Sequence, residues 1–377
     1  MNKKNVYLLA LTSFFADIST EMLYPILPIF LTTYLGASGS LIGLIEGIAG
    51  ATQYIQMGVS GYISDKIHKR KSIALIGYTL AAISKPLIGL STIWQAVLGA
   101  RFLDRLGTGT RSAPRYALVA NSVDEKSRGK AFGLEGLGDN MGAFLGPLLA
   151  IALIFYFKIQ IRQIFFLSFI PGFLAVIMVL FIKEKKDGVK VKYKLDTNLK
   201  SFPKRYWRYI GIIALFGLGN ISSSFMILQT RNIGVPIIIT ILIYALFNLV
   251  AAITSYPAGF LSDKLGRKKV LVTSFLIFTV ALFGFAFTKS ALLTAVLFTL
   301  YGIYQGIFRA VGNAFAADFV KEDLRASAIG WLNTTVGLSS LFASLLAGIL
   351  YDKVGHSTVF LSAAIFASIG SLLLIFV

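Results

Sequence analysis

Charged side chains set among apolar residues are the groups of this chain that could do chemistry. The segment from Arg101 to Arg115 reads RFLDRLGTGTRSAPR and holds four arginines and one aspartate. It follows an uncharged stretch from Leu87 to Ala100. Its basic positions recur at helical spacing and therefore form one stripe along a helix. A lipid-facing arginine costs at least ~2.5 kcal/mol, so the stripe must face protein or water.

Carboxylates on other apolar segments can meet that stripe. Asp17 and Glu21 lie four residues apart, and Glu135 and Asp139 repeat the spacing, so each pair shares one face of a helix. Glu46 lies on a third apolar segment. Burial favours the neutral form of a carboxyl group and a nearby guanidinium favours the ionised form, so acids in this setting can bind and release protons. We predict that these acids couple proton movement to the protein's activity.

Composition places these residues in a membrane protein. Of the 377 residues, 56% are hydrophobic and 14% are charged, against about 25% charged in average soluble proteins. The mean hydropathy is +0.76. Cysteine is absent, which excludes disulfides, thiolate catalysis and Cys-ligated metals. The two histidines, His68 and His356, fall in predicted loops, so no metal site, cofactor or catalytic residue is predicted.

Twelve apolar runs are long enough to cross a bilayer, which takes ~20 residues. With the N-terminus inside, the inner segments carry 25 Lys and Arg and the outer connections carry five. The positive-inside rule then places both termini in the cytoplasm and explains the net charge of +19 without a nucleic-acid partner. We expect a multi-pass protein of the plasma membrane, of the prokaryotic inner-membrane type. The runs lie near 6–35, 40–63, 72–91, 93–119, 129–157, 163–182, 208–230, 236–260, 270–288, 291–318, 326–350 and 357–377.

The chain also repeats itself. GYISDKIHKRK from Gly61 reappears as GFLSDKLGRKK from Gly259, an offset of 198, and VDEKSRGKAFG from Val123 matches VKEDLRASAIG from Val320 at an offset of 197. The expected fold class is therefore all-α, with twelve transmembrane helices in two pseudo-symmetric six-helix bundles and a substrate site between the halves near the midplane. The predicted N-terminal bundle, basic cytoplasmic linker and C-terminal bundle are 1–182, 183–207 and 208–377.

The repeated loop resembles the signature G-x-x-x-D-[RK]-x-G-[RK]-[RK] of the major facilitator superfamily. The first copy has His68 in place of the second glycine. The first copy otherwise matches at Gly61, Asp65, Lys66, Lys69 and Arg70, and the second is complete at Gly259, Asp263, Lys264, Gly266, Arg267 and Lys268.

Two further segments are similar to signatures of this superfamily. RFLDRLG from Arg101 resembles its span-4 signature R-F-L-Q-G-x-G, with Asp104 and Arg105 in place of Gln and Gly. GDNMGAFLGP, residues 138–147, resembles the span-5 signature of its exporters. The helix-packing positions of that segment are Gly138, Gly142, Gly146 and Pro147.

The resemblance implies that span 4 runs from outside to inside. At 1.5 Å per residue from Ile93, Arg105 lies about 18 Å deep, near the depth expected for Asp17 and Asp139. We therefore expect a charged cavity in which cations of spans 3 and 4 meet the acids. The predicted charge partners are Lys85, Arg101, Asp104 and Arg105.

The loop signatures also have a mechanical interpretation. A carboxylate at the cytoplasmic end of a span can lie against a helix N-terminus or pair with arginine, and so hold the inner face shut. The inner arginines of span 4 are expected to meet Asp65 or the loop at 124–125. The predicted gate residues are Gly61, Asp65, Arg70, Arg111, Arg115, Gly259, Asp263 and Arg267.

The second half carries mostly uncharged polar side chains in its spans. Such groups suit substrate recognition, and they equally suit hydrogen bonding between helices. The predicted substrate-binding residues are Asn220, Ser223, Asn248, Gln305 and Asn313.

Together these features predict a monomeric, proton-coupled secondary transporter that moves a small organic molecule by alternating access. Export of a drug or metabolite by proton antiport is favoured, because ionisable residues concentrate in the first half and residues 138–147 resemble the exporter signature. The alternative is a proton-coupled uptake symporter for a sugar or organic anion, in which the cationic stripe binds substrate. No enzyme is expected, since HEXXH and DDxxD-type motifs are absent from the sequence and no span holds a Ser/His pair. A GxxxxGK[ST] loop is also absent, so transport driven by ATP is not expected.

The gate interpretation leads to an expectation for Asp65→Asn. Without its charge the side chain attracts a helix N-terminus or an arginine less, so the cytoplasmic face opens more often. Because the chain has no cysteine, a cysteine introduced at Gln305 reports access from the cytoplasmic side without background. We expect faster labelling in Asp65→Asn than in the parent or in the linker variant Asp187→Asn. Equal labelling rates would contradict the gate.

Overall fold

A computed structural model of the protein describes residues 3–124, 127–184, 201–321 and 324–377. The regular secondary structure of these residues is helical, in fifteen α-helices. In chain order they are α1 (Lys3–Glu21), α2 (Leu27–Leu35), α3 (Gly39–Ile67), α4 (Arg70–Leu90), α5 (Trp94–Asn121), α6 (Arg128–Phe155), α7 (Ile161–Leu167), α8 (Phe169–Leu180), α9 (Lys204–Gly217), α10 (Ser223–Asn232), α11 (Ile237–Leu265), α12 (Arg267–Phe287), α13 (Ala291–Asp318), α14 (Arg325–Lys353) and α15 (His356–Leu374).

Three of the predicted spans are broken into two helices, and local chemistry accounts for each break. Pro28 opens α2, where its missing N–H is not needed. Pro171 lies in the first turn of α8. The side chain of Ser222 accepts a hydrogen bond from the backbone N–H of Ser224 (3.2 Å) and so caps α10. Each of the other predicted spans coincides with a single helix.

Among the residues that the structure describes, eight stretches of helix are long and apolar enough to cross a membrane: α4, α6, α7 with α8, and α11 to α15. Helix α5 does not qualify, because each stretch of that length within it holds at least four of its five charged residues. The count of twelve crossings and the orientation of the termini therefore stay predictions.

The chain groups into two compact units. The first holds Met1–Gly36 and Thr52–Tyr193, and the second holds Ala37–Ala51 and Lys194–Val377. The first half of α3 thus groups with the second unit, although it precedes the predicted boundary. Most of the predicted linker lies outside the described residues, so the predicted domain limits stay predictions.

Glycines set the distances between helices of the first unit. Helices α4 and α5 approach so closely that a Cβ on Gly107 would lie 2.6 Å from the carbonyl oxygen of Gly77. Helix α6 lies equally close to α1, because a Cβ on Gly146 would lie 3.0 Å from the Cβ of Glu21. A Cβ on Gly142 would lie 3.0 Å from the Cβ of Asp17. Charged residues on α1, α4, α5 and α6 are thereby brought into reach of one another.

In the second unit, the start of α3 is capped by Asp352 near the end of α14. The backbone N–H of Gly39 donates to Oδ1 of Asp352 (2.7 Å), and that of Ser40 donates to Oδ2 (2.8 Å). A carboxylate at this position satisfies two of the open donors of the helix and complements its dipole. Asp352 was not predicted from the sequence to have a role.

Removal of this cap should be measurable as a loss of stability. We expect Asp352→Ala to cost about 1 kcal/mol, because two backbone donors lose their acceptor. Asp352→Asn should retain most of the effect, since asparagine is an equally good capping residue. Thermal unfolding of the purified variants in detergent tests this order. An Asp352→Ala midpoint equal to that of the parent would show that the cap contributes nothing.

Candidate functional site

An acidic cluster surrounds Arg111 and Arg115 of α5. Arg115 Nη1 lies 3.1 Å from Glu135 Oε1 and 3.2 Å from Asp139 Oδ1, both on α6. Arg111 Nη2 lies 3.9 Å from Asp17 Oδ1 on α1. These five residues form what we call the acidic cluster. It holds three carboxylates and two guanidinium groups.

A serine connects the acidic cluster to α1. The hydroxyl of Ser13 donates to Glu135 Oε1 (2.7 Å) and accepts from Arg115 Nη1 (2.7 Å). The carboxylates differ in access, because the side chain of Glu135 is 6% exposed while those of Asp17 and Asp139 are 21% and 26% exposed. Asp17 and Asp139 are therefore the more accessible carboxylates of the acidic cluster.

Aromatic rings support both arginines of the acidic cluster. The guanidinium carbon of Arg111 lies 4.4 Å from the ring centroid of the buried Tyr78, and that of Arg115 lies 4.9 Å from the ring of Tyr116. Each contact is of cation–π type and restrains the guanidinium. The arginines are thus held while the carboxylates retain different degrees of access.

These partners correct the pairing expected from sequence. Asp17 and Asp139 were expected at the depth of Arg105, yet they contact Arg111 and Arg115. A count of residues from the helix ends ignores the tilt and crossing of the helices, which decide which turns meet. The side chain of Asp65, the other expected partner, lies outside the described part of the chain, so its gate role stays a prediction.

A second group of charges lies nearer the start of α5 and is more deeply buried. Asp104 has no exposed side-chain surface and contacts three cations: Lys85 Nζ at 2.5 Å, Arg101 Nη1 at 2.9 Å and Arg105 Nε at 3.3 Å. We call these four residues the Asp104 cluster. The structure therefore places one carboxylate at the centre of the predicted charge partners.

Uncharged groups complete the surroundings of the Asp104 cluster. Arg105 Nη1 donates to Gln53 Oε1 (3.0 Å), and Lys85 Nζ donates to Thr20 Oγ1 (3.4 Å). The ring of Tyr24 lies 5.5 Å from the guanidinium carbon of Arg105. Gln53, Thr20 and Tyr24 were not identified from the sequence, where nothing but their polarity marks them.

The other two predicted acids lie on α1 and α3. Glu21 is the last residue of α1, one turn from Asp17, and is half-buried. Glu46 lies in the part of α3 that groups with the second unit and is buried. Three of the five predicted proton-coupling residues, Asp17, Glu135 and Asp139, thus lie within 4.0 Å of Arg111 or Arg115.

The two signature loops share a positive φ at one position despite their different sequences. Gly266 has a φ of 91°, and His68, which replaces the corresponding glycine, has a φ of 53°. Both values lie in the left-handed region, which a side chain makes costly. The positive φ is thus kept at this position although the glycine is not. Gly61 lies close to α5, with a Cβ there 3.2 Å from that of Ala113, whereas a Cβ on Gly259 would meet no atom within 4 Å.

The charged residues of these loops hold helices within each unit. Arg267 pairs with Asp318, donates to the carbonyl of Ala314 (2.8 Å) and lies 3.8 Å from Asp263 Oδ1, so it joins α12 to the end of α13. In the first unit, the backbone N–H of Arg70 donates to Glu184 Oε1 (2.8 Å) at the start of α4. These contacts are structural, and a gate role for the loops stays a prediction.

The predicted substrate-binding residues lie on several segments of the second unit. Asn220 precedes α10, Asn248 lies on α11, and Gln305 on α13, and all three are half-buried. Ser223 opens α10 and is buried, while Asn313 on α13 is exposed. The structure does not assign them a shared role.

Comparison with known proteins agrees with this all-helical fold. Residues 9–230 and 209–377 each match the Major Facilitator Superfamily. The chain is 40% identical over 380 residues to an uncharacterized MFS-type transporter of Methanocaldococcus jannaschii, covering 99% of this chain and 95% of that one. It is 28% identical to the multidrug resistance protein MdtG of Dickeya zeae, covering 81% and 77% of the two chains. The crystal structure of the nucleoside transporter NupG superposes with a TM-score of 0.81 at 16% identity, covering 100% of this chain and 98% of that one.

The protein is thus a multi-pass helical membrane protein with buried charge clusters. It belongs to the major facilitator superfamily and is a transporter, as the sequence motifs indicated. The expectation that it is not an enzyme is confirmed by this membership.

The burial of Asp104 leads to a prediction about stability. Asp104→Asn leaves three cations without their shared counter-charge, and breaking a buried pair in this way costs about 3–5 kcal/mol. Asp318→Asn removes a half-exposed partner of Arg267 and is the matched control, for which the expected cost is at most ~1 kcal/mol. Thermal unfolding in detergent compares the two. Equal shifts would show that the Asp104 cluster does not stabilise the fold.

Proposed function

We propose that the protein is a proton-coupled secondary transporter that exports a small organic molecule in exchange for protons by alternating access. The observation that carries the proposal is the composition of the acidic cluster. Three carboxylates share two arginines, and two of the carboxylates, Asp17 and Asp139, are partly exposed. A carboxylate left without a full counter-charge can take up a proton, and a carboxylate paired with arginine releases it.

Asp139 is the proposed proton carrier, with Asp17 as its partner or alternate. Arg115 contacts both Asp139 and Glu135, so protonation of Asp139 would leave Arg115 to Glu135 alone. Glu135 lies one turn away on α6, and its hydrogen bond from Ser13 offers a route by which the proton passes onward. Three helices carry these residues, so a change of protonation alters the contacts of α1 and α6 with α5.

Glycine packing supports the transmission of that change. A Cβ on Gly142 would lie 3.0 Å from the Cβ of Asp17, so the backbone of α6 reaches α1 beside the carboxylate. Gly138 lies against the backbone carbonyl of Ala10 in the same way. A shift of the Asp17 side chain would therefore change its contact with the backbone of α6. Pro147, inside α6, follows directly after Gly146.

Export is the favoured direction. Residues 138–147 resemble the exporter signature, and one relative bears the name of a multidrug resistance protein. In the same proposal, twelve spans cross a prokaryotic plasma membrane with both termini in the cytoplasm, and the transporter acts as a monomer. The uncharged polar residues of the second unit contribute to substrate recognition, and Asp65 and Asp263 hold the cytoplasmic side closed.

The second candidate is a proton-coupled symporter that takes up an organic anion. The specific observation in its favour is the Asp104 cluster, where three cations surround one carboxylate. In this case the acidic cluster still supplies the proton site. The two candidates differ in the direction of the proton flux relative to the substrate flux, which proteoliposomes with an imposed pH gradient distinguish.

We expect Asp139→Asn to fold and bind substrate but to lose transport driven by a pH gradient, because an amide cannot exchange a proton. The assay uses proteoliposomes loaded with a compound that stabilises the purified protein, with and without the gradient. Asp318→Asn is the control and should keep the parent rate. A transport rate of the parent that is the same with and without the pH gradient would refute proton coupling. Gradient-driven transport by Asp139→Asn at the parent rate would make Asp139 structural and shift the role to Asp17 or Glu21.

A further inference from the structure

The Asp104 cluster carries more positive charge than its own carboxylate can balance. Arg101 makes additional contacts, so the surplus is best counted from Lys85 and Arg105. Within the described residues, Asp104 is the one carboxylate within 4.0 Å of either of these two cations. The side chain of Lys85 is 2% exposed and that of Arg105 is 10% exposed. Two buried cations therefore share one negative charge, an arrangement that is costly without a further anion.

Arg105 has a donor that nothing in the described chain accepts. Its Nε faces Asp104 at 3.3 Å and its Nη1 donates to Gln53 at 3.0 Å. Its Nη2 is buried and makes no hydrogen bond to any described residue. Buried charged donors are rarely left in this state, and each one calls for an explanation. The simplest explanation is a ligand that accepts from this edge of the guanidinium group.

The groups around this donor select an anion. A charged guanidinium N–H donates strongly to an oxygen of a carboxylate or phosphate. Lys85 is a second positive charge near Arg105, because both residues contact Asp104. The hydroxyl of Thr20 lies 3.4 Å from Lys85 Nζ. The ring of Tyr24, 5.5 Å from the guanidinium carbon of Arg105, restrains its plane. A cationic ligand would meet like charges here, and a neutral ligand would leave the surplus unbalanced.

Neutralisation of charge within the protein does not account for Arg105. One cation would balance Asp104, and Lys85 already lies 2.5 Å from it. Asp104 and Arg105 also occupy the two positions at which residues 101–107 differ from the span-4 signature that they resemble. Arg105, which contributes to the surplus of positive charge, is thus not required by the signature.

We infer that Arg105 and Lys85 form a binding site for the carboxylate or phosphate group of a small organic anion, and that this anion is the transported molecule. The second clause rests on the proposed function, whereas the binding site itself does not depend on proton coupling. The acidic cluster on α1, α5 and α6 then serves the proton and the Asp104 cluster serves the substrate.

The test is binding of matched probes to the purified full-length protein in detergent at one pH. Benzoate, phenyl phosphate, benzamide and benzylamine share a ring and differ in the group attached to it. Because ligands that bind the folded state raise the unfolding temperature, thermal shift over a concentration series gives relative affinities. We expect stabilisation by benzoate, by phenyl phosphate or by both, and not by benzamide or benzylamine. Comparison of the two anions distinguishes a carboxylate site from a phosphate site.

Variants then locate the site. Arg105→Gln should weaken binding of the stabilising anion at least roughly tenfold, because a hydrogen bond to a charged group is lost. Arg105→Lys keeps the charge and can still pair with Asp104 but lacks the Nη2 donor, so it should fold like the parent and still bind more weakly. Arg162→Gln, on α7 and outside both clusters, is the control and should bind like the parent.

Three outcomes would overturn the inference. The first is stabilisation by benzamide or benzylamine equal to that by the anions, and the second is no stabilisation by either anion. The third is anion binding of parent strength in both Arg105→Gln and Arg105→Lys. The assay contains no membrane and no pH gradient, so its failure leaves proton coupling untouched. Failure of the Asp139→Asn transport test likewise leaves the anion site standing.

Discussion

The structure of the first unit depends on how the four arginines of one helix, α5, are paired. A charge buried without a partner is costly in a membrane protein. Arg101 and Arg105 pair with Asp104 on α5 itself, whereas Arg111 and Arg115 need carboxylates from neighbouring helices. Helix α4 and α5 meet through Gly77 and Gly107, which bring Lys85 to Asp104. Helices α1 and α6 supply the acids that meet Arg111 and Arg115. The requirement for charge pairing thus determines which helices surround α5 and how closely they approach.

Along α5 the charges divide into two clusters with opposite surpluses. The acidic cluster has more carboxylates than arginines and includes two partly exposed acids, which suits a proton site. The Asp104 cluster has more cations than carboxylates and is closed around a fully buried aspartate, which suits an anion. Because one helix carries both clusters, a movement of α5 changes the surroundings of both. That physical link is what coupling of a proton to an organic anion requires.

The family, the helical fold and most of the charged residues that form the two clusters can be predicted from the sequence. Apolar runs, repeated loops and charges within apolar segments are local signals. The pairing of those charges cannot be predicted in this way. Arg115 meets Glu135 and Asp139 because of how α5 and α6 cross, which no residue count along a helix contains. Asp352 was missed because its partners are backbone N–H groups more than 300 positions away. Gln53 and Thr20 were missed because a single polar residue in a span carries no signal of its partner.

If substrate and proton are linked through α5, binding of the substrate must change the number of bound protons. The heat of binding, measured in two buffers, tests this link most directly. Titration of the strongest binding anion into the purified protein, in two buffers that differ in their heat of ionisation, reveals any proton taken up or released on binding. We predict different apparent heats in the two buffers for the parent and equal heats for Asp139→Asn. Equal heats for the parent across the pH range would contradict the account, because binding would then move no proton.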